Sequence, residues 1–199
     1  MTACIVTWVM KMTWRIVPTS TPRVIRQCNK CNRKMPFYCS DKFRMNGNNT
    51  RLDVWLIYKC EKCDTTLKLT IKRGIKPHDI PREMFDAFTH NDAEYAWKYA
   101  FDRGFLKSNA CTADYANVEY RVEGCDLTGA MYPLTVHVTA DYHFGLKLTT
   151  LLAGVLGISI NALRKMVDVG YIETVPPCEI TKRRIYDDFV LVILRLRVF

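Results

Sequence analysis

Long apolar runs are missing from this chain of 199 residues. No uninterrupted apolar stretch exceeds a few residues, whereas a membrane-spanning helix needs about 20, so no membrane segment is expected. A secretory signal is missing too: Met1 to Met10 is mildly apolar but carries no basic residue before Lys11. A cytoplasmic location is the expectation. No glycine-rich phosphate loop, nucleophile elbow or HExxH helix occurs. The chain is therefore not expected to be an enzyme, nor to take a small-molecule substrate. Acidic residues are scarce in one place. Residues 1–75 hold 4 Asp and Glu against 15 Lys and Arg, while 76–134 hold 10 against 6 and 135–199 hold 6 against 8. The overall charge of +9 is thus an excess of the first third, which points to an anionic partner more specifically than evenly spread basicity does.

Cysteine, by contrast, is plentiful. Nine cysteines, an odd number, without a secretory signal argue against a disulfide framework and toward metal ligands plus buried thiols. Cys28-Asn29-Lys30-Cys31 and Cys60-Glu61-Lys62-Cys63 are two CxxC pairs separated by 28 residues. Each pair can form a tight knuckle that aims two thiolates at one ion, and two knuckles complete a tetrahedral sulfur site. The expectation is one structural zinc (Zn2+) on Cys28, Cys31, Cys60 and Cys63. Reduced structural thiols or a redox pair are the competing readings, and the redox reading lacks the strand-to-helix context it requires. Cys39 has no CxxC partner; Cys4, Cys111, Cys125 and Cys178 read as buried thiols. His137 and His143 show no ligand spacing with Cys125.

Between the knuckles, Phe37 to Met45 and Leu52 to Tyr58 read as strands joined by a turn at Asn46-Gly47-Asn48-Asn49. Leu67, Leu69 and Ile71 then alternate with Lys68, Thr70 and Lys72, a half-buried strand with a basic outer face. Knuckle, hairpin, knuckle and strand is the plan of a zinc ribbon. From residue 76 the apolar period changes to 3.6. One helix carries Met84, Phe85 and Phe88; a second, opened by Asn91 with Glu94 as its capping-box partner and ended by Gly104, carries Ala93, Ala96, Trp97, Ala100 and Phe101. Val118–Val122 alternates like a strand. Leu148 to Leu156 forms a helical stripe stopped by Gly157, and Ser159 caps a further helix bearing Leu163, Met166 and Val167. Phe189 to Leu194 closes as a strand. The fold expected is α+β in three parts: a zinc-ribbon domain of antiparallel strands (1–75), a helical spacer (76–134) and a C-terminal α/β domain (135–199).

The pieces Leu151-Leu152-Ala153, Leu156-Gly157-Ile158-Ser159, Met166-Val167-Asp168-Val169-Gly170 and Asp188 resemble an S4-type RNA-binding domain over Leu148 to Ile193. Ile160 stands where that family has an arginine, and Pro176-Pro177-Cys178 replaces its Val-Asn-Gly turn. The resemblance implies that the second helix and the following hairpin present basic residues to structured RNA. From about Met12 onward the whole chain is similar to the bacterial family called domain of unknown function 1062. The carrying residues are Thr13-Trp14, Pro18-Thr19-Ser20, both CxxC pairs, KFRMNGNN and LDVWLIYKC; residues 1–11 read as an extension ahead of Met12.

Taken together, the sequence predicts a zinc-containing RNA-binding protein, associated with ribosomal or other structured RNA. Its C-terminal contacts are expected at Asn161, Arg164 and Lys165 on the second helix and at Lys182, Arg183 and Arg184 ahead of the last strand. A DNA-binding or transcription-associated ribbon factor, or a zinc-stapled protein-interaction adaptor, are the competing readings.

Overall fold

A computed structural model describes residues 10–47 and 50–196. The chain is α+β and divides into two compact units. One runs from Ser20 to Glu119; the other joins the residues before it, up to Thr19, with those from Tyr120 onward. The expected boundaries near 75 and 134 are therefore not where the chain divides.

Strand β1 (Met10–Pro18) explains part of the difference. It alternates so that Trp14 and Ile16 are buried, and it pairs with strands more than a hundred residues away. That pairing leaves no local mark in the sequence.

The Ser20–Glu119 unit begins with a meander of β2 (Arg23–Cys28), β3 (Arg33–Gly47), β4 (Leu52–Cys60) and β5 (Thr66–Ile75). After a single 3-10 turn at Pro77–Asp79 come α1 (Arg82–His90), α2 (Ala93–Phe101) and α3 (Arg103–Ser108). Strand β6 (Thr112–Asp114) then pairs with β2, giving an antiparallel sheet of order β5-β4-β3-β2-β6. Residues 76–110 are thus no spacer. The period of two leaves Val24, Phe37, Leu56, Tyr58 and Leu69 on one face of the sheet, and Ala96, Ala100 and Leu106 of the helices cover it. A second cluster joins Val54, Ile80 and Phe88, with the Phe43 ring centre 4.9 Å from that of Phe88 and the two rings tilted by 54°. Each large apolar side chain so buried contributes on the order of 1.5–3 kcal/mol. Phe101 is buried as well, and the half-buried Trp97 and Tyr99 pack against the first cluster.

Caps differ from expectation by a residue. Asp92, not Asn91, opens α2, accepting from Tyr95 N–H at 3.0 Å. Asn91 instead ends α1 in the left-handed region, and its carboxamide accepts from Phe43 N–H at 2.8 Å. Gly104 lies inside α3. Asp102 ends α2 and caps α3 by accepting from Phe105 N–H.

The second unit adds β7 (Tyr120–Glu123), β8 (Leu134–Ala140), α4 (Leu148–Leu156), α5 (Ile160–Asp168), β9 (Ile172–Val175) and β10 (Phe189–Ile193). The sheet order is β7-β1-β8-β10-β9, with β1 parallel to β8 (Trp14 beside Val138) and the other pairs antiparallel. Leu148, Leu151, Leu152, Leu163 and Met166 are buried, as are Val136, Val138, Leu191 and Ile193 of the strands. Gly157 ends α4 at φ +64°, a conformation in which a side chain is strained, and Ser159 caps α5 by accepting from Ala162 N–H at 3.1 Å. Both were expected. The chain bends by 105° between α4 and α5.

Candidate metal centre and basic surfaces

An antiparallel meander puts alternate turns at the same end of its sheet, which is why cysteines 28 residues apart meet. Cys28 is the last residue of β2 and pairs with Arg33 of β3; Cys60 is the last residue of β4 and pairs with Phe37. The β2–β3 and β4–β5 turns therefore lie side by side, and each is a CxxC. Asn32 and Asp64 close them at φ +51° and +58°, positions that Asn and Asp tolerate better than other side chains. Cys31 N–H donates to Cys28 Sγ at 3.4 Å. In the second knuckle Asp64 N–H donates to Cys60 O at 2.9 Å, and Glu61 N–H donates to Pro36 O at 3.1 Å.

The four sulfurs lie within 4.8 Å of one another. Cys28 and Cys63 Sγ are 3.5 Å apart, Cys31 and Cys60 Sγ 3.9 Å. Four sulfurs held at about 2.3 Å from one tetrahedral ion stand about 3.8 Å apart, so the cluster has the size a metal ion requires. Cys28 and Cys60 are buried while Cys31 and Cys63 are half-buried, and with four sulfurs there is no open position for a reacting water. The arrangement suits a structural ion.

The sulfurs are also electrostatically unequal. Hydrogen bonding with the Thr65 hydroxyl, 3.1 Å away, and with its backbone N–H brings Cys63 down to about 6. Cys31 is pushed up to about 12, first by its hydrogen bonding to Cys63 and then by burial. Four thiols this close favour one thiolate and resist a second, and a divalent cation removes that resistance. Cys39 is not a fifth member. It faces the core opposite Tyr58, and burial pushes it up to about 12. Of the other cysteines read as buried, Cys111 and Cys125 are half-buried and Cys178 is exposed; Cys4 lies outside the described residues. Among the described residues no other group of three or more His, Cys, Asp or Glu side chains has ligand geometry.

The six residues expected to meet RNA separate into two sets. Asn161, Arg164 and Lys165 are exposed on α5, because Leu163 and Met166 take the buried positions. Among the described residues Arg164 forms no ion pair with Asp168 or any other group. The triplet behaves otherwise. Arg183 is only 13% exposed, with its guanidinium 4.5 Å from the Phe189 ring centre and 3.2 Å from Asp187 Oδ1. Arg184 Nη1 donates to Gly145 O at 2.7 Å, and Lys182 pairs with Glu179 at 3.0 Å. Main-chain bonds from Leu148 N–H to Arg183 O and from Ile185 N–H to Leu146 O seat this segment at the start of α4. No hydrogen bond or ion pair among the described residues ties it to α5.

A larger basic surface lies in the Ser20–Glu119 unit. Residues 20–76, the sheet and its turns, hold 14 Lys and Arg against 4 Asp and Glu. Lys34, Lys42, Arg44 and Lys68 are exposed and form no ion pair among the described residues. The alternation of Lys68 with Leu67 and Leu69 was a sign of this. The same alternation in Lys42-Phe43-Arg44-Met45 was the signal that sequence reasoning passed over.

The family model described as a protein of unknown function (DUF1062) matches residues 45–176, which include Cys60 and Cys63 but not Cys28 and Cys31. No curated protein and no solved structure matches the chain.

Proposed function

The chain belongs to the DUF1062 family, and for this member we propose an RNA-binding function in which a structural zinc holds the basic unit together. The observation that carries the reading is the coincidence of a closed four-sulfur cluster with a meander, residues 20–76, holding 14 basic residues against 4 acidic ones. A stapled fold that concentrates uncompensated positive charge suits a polyanion, whose phosphates supply most of the binding free energy. Zinc is the ion proposed because four thiolates in a tetrahedron suit it among the common cellular divalent cations. Ribbon-like knuckles on adjacent β-turns support the zinc-ribbon comparison. The helix pair α4–α5 followed by β9 and β10 supports the S4-like one. In this reading Asn161, Arg164 and Lys165 are the C-terminal contacts, and Lys182 lies in a segment whose two arginines are already engaged by the fold.

The test is the ultraviolet spectrum and nuclease sensitivity of the full chain purified without a nuclease step. Nucleic acid that co-purifies and is digested by RNase but not DNase is the expected result. Digestion by DNase alone transfers the proposal to DNA, and a zinc-loaded, folded protein that binds no nucleic acid at low salt removes it.

A further inference from the structure

Helices α1 to α3 cover only one face of the β5-β4-β3-β2-β6 sheet, and the register defines what the other face carries. In the buried row Phe43 of β3 stands beside Leu56 of β4, and Leu56 beside Leu69 of β5. Side chains alternate across a strand, so the rows on either side of this one point away from the helices. One of them is Arg44, Trp55 and Thr70; the other is Lys42, Ile57 and Lys68. Lys42, Arg44 and Lys68 are exposed, and Trp55 is half-buried with Lys68 Nζ 5.1 Å from its ring centre. Toward the metal end, Tyr38 pairs with Lys59 on the same face. There the Asp64 carboxylate is matched, since Lys59 Nζ lies 2.5 Å and Tyr38 Oη 3.0 Å from its oxygens. Asp53, at the far end, accepts from Gly74 N–H at 2.6 Å.

From this juxtaposition we infer that the outer face of the β3–β4–β5 sheet is a binding surface for single-stranded RNA, with Trp55 as the base-stacking platform and Lys42, Arg44 and Lys68 as the phosphate contacts. The inference rests on the RNA-binding reading and assigns it a site. A half-buried aromatic ring beside exposed cations on a strand surface suits an unpaired nucleotide: a ring for the base and positive charge for the backbone on either side. Among the described residues Lys42, Arg44 and Lys68 form no ion pair, whereas the cations of the 182–184 segment are occupied. Lys68 over the Trp55 ring shows that the ring's face accepts a cationic partner. A base entering there displaces the ammonium toward the phosphate, so the same lysine serves the bound state.

The experiment titrates the zinc-loaded full chain into a fluorescently labelled 12-nucleotide single-stranded RNA, with a duplex RNA and a single-stranded DNA of the same sequence as parallel probes. Trp55→Ala should weaken binding to the single strand by about 10-fold or more, the value of one lost base stack, and Trp55→Phe should recover most of that loss. Lys42→Gln with Arg44→Gln, both at exposed positions, should lower the dependence of log affinity on log salt by about 1.4 for two lost contacts. Zinc content and circular dichroism report whether each variant is folded. If the wild-type chain binds RNA while folded variants of this face bind it equally well, the site is wrong and the RNA reading stands elsewhere, α5 being the next surface. Preference for the duplex, or for DNA, overturns the assignment to single-stranded RNA. If no probe binds the wild-type chain, the RNA reading fails and the site with it.

Discussion

Substituting Cys60 by serine, or stripping the proposed metal with a chelator, perturbs the four-sulfur cluster that joins two turns of the same sheet. Cys60 is 1% exposed and ends β4, where its backbone N–H donates to Thr65 O at 3.0 Å. Without an ion, four thiols within 4.8 Å repel a second thiolate, and the β2–β3 and β4–β5 turns lose their common tie. An ion present at about 1,000 times its dissociation constant adds about 4 kcal/mol to stability. For a unit of this size, Ser20–Glu119, each kcal/mol moves the melting temperature by roughly 4–8 °C. Chelation or Cys60→Ser should therefore lower the melting of that unit by about 16–30 °C. The unit built on β1 and β7–β10 contains no member of the cluster, and its transition should not move. Scanning calorimetry with and without chelator, alongside elemental analysis, reads both effects. A protein that contains no zinc as purified, or whose two transitions are indifferent to chelator, refutes the structural-metal argument.

Metal-free protein should show a pH profile of opposite slopes. Folding lowers Cys63 from 9.0 to about 6, so its contribution is absent below pH 6, grows between 6 and 9, and is then withdrawn if pH falls again. Cys31 and Cys39, raised to about 12, contribute below pH 9 and lose that contribution above it. The urea midpoint of chelated protein should rise from pH 6 toward 9 and fall beyond. Asn109→Ala removes the carboxamide that accepts from Thr70 N–H at 2.7 Å and donates to Thr70 O at 3.2 Å, a side chain completing the edge of β5. It should cost about 1–3 kcal/mol and speed amide exchange at Thr70. Arg183→Ala should destabilise its unit by about 1–2 kcal/mol through the lost Phe189 and Asp187 contacts. Lys182→Ala, on a largely exposed side chain, should be close to neutral. Equal melting temperatures for these two variants would contradict the distinction.

The four-cysteine cluster was legible because a CxxC is a local motif, and the strands between the pairs because alternation is local as well. Ser159 and Gly157 were legible for the same reason: a cap and a left-handed stop are decided within four residues. What the sequence withheld is non-local. Strand β1 finds β8 across the whole Ser20–Glu119 unit, so the pattern around Trp14 gave no sign of its partner. The helices after residue 75 differ from the strands in period, and that contrast suggested a boundary, yet Ala96 and Ala100 share one core with Phe37 and Leu56. The surroundings of the run Lys182-Arg183-Arg184 are non-local as well: the tertiary neighbours Phe189, Asp187 and Gly145 engage the two arginines.

Ultraviolet crosslinking of the zinc-loaded full chain to RNA, followed by mass-spectrometric identification of the crosslinked peptides, locates the RNA contacts residue by residue. RNase-sensitive crosslinks are expected on β3 to β5, foremost at Trp55, with a further set on α5 and none centred on Arg183. A folded, zinc-containing chain that yields no RNA crosslinks at low salt would contradict the RNA-binding reading.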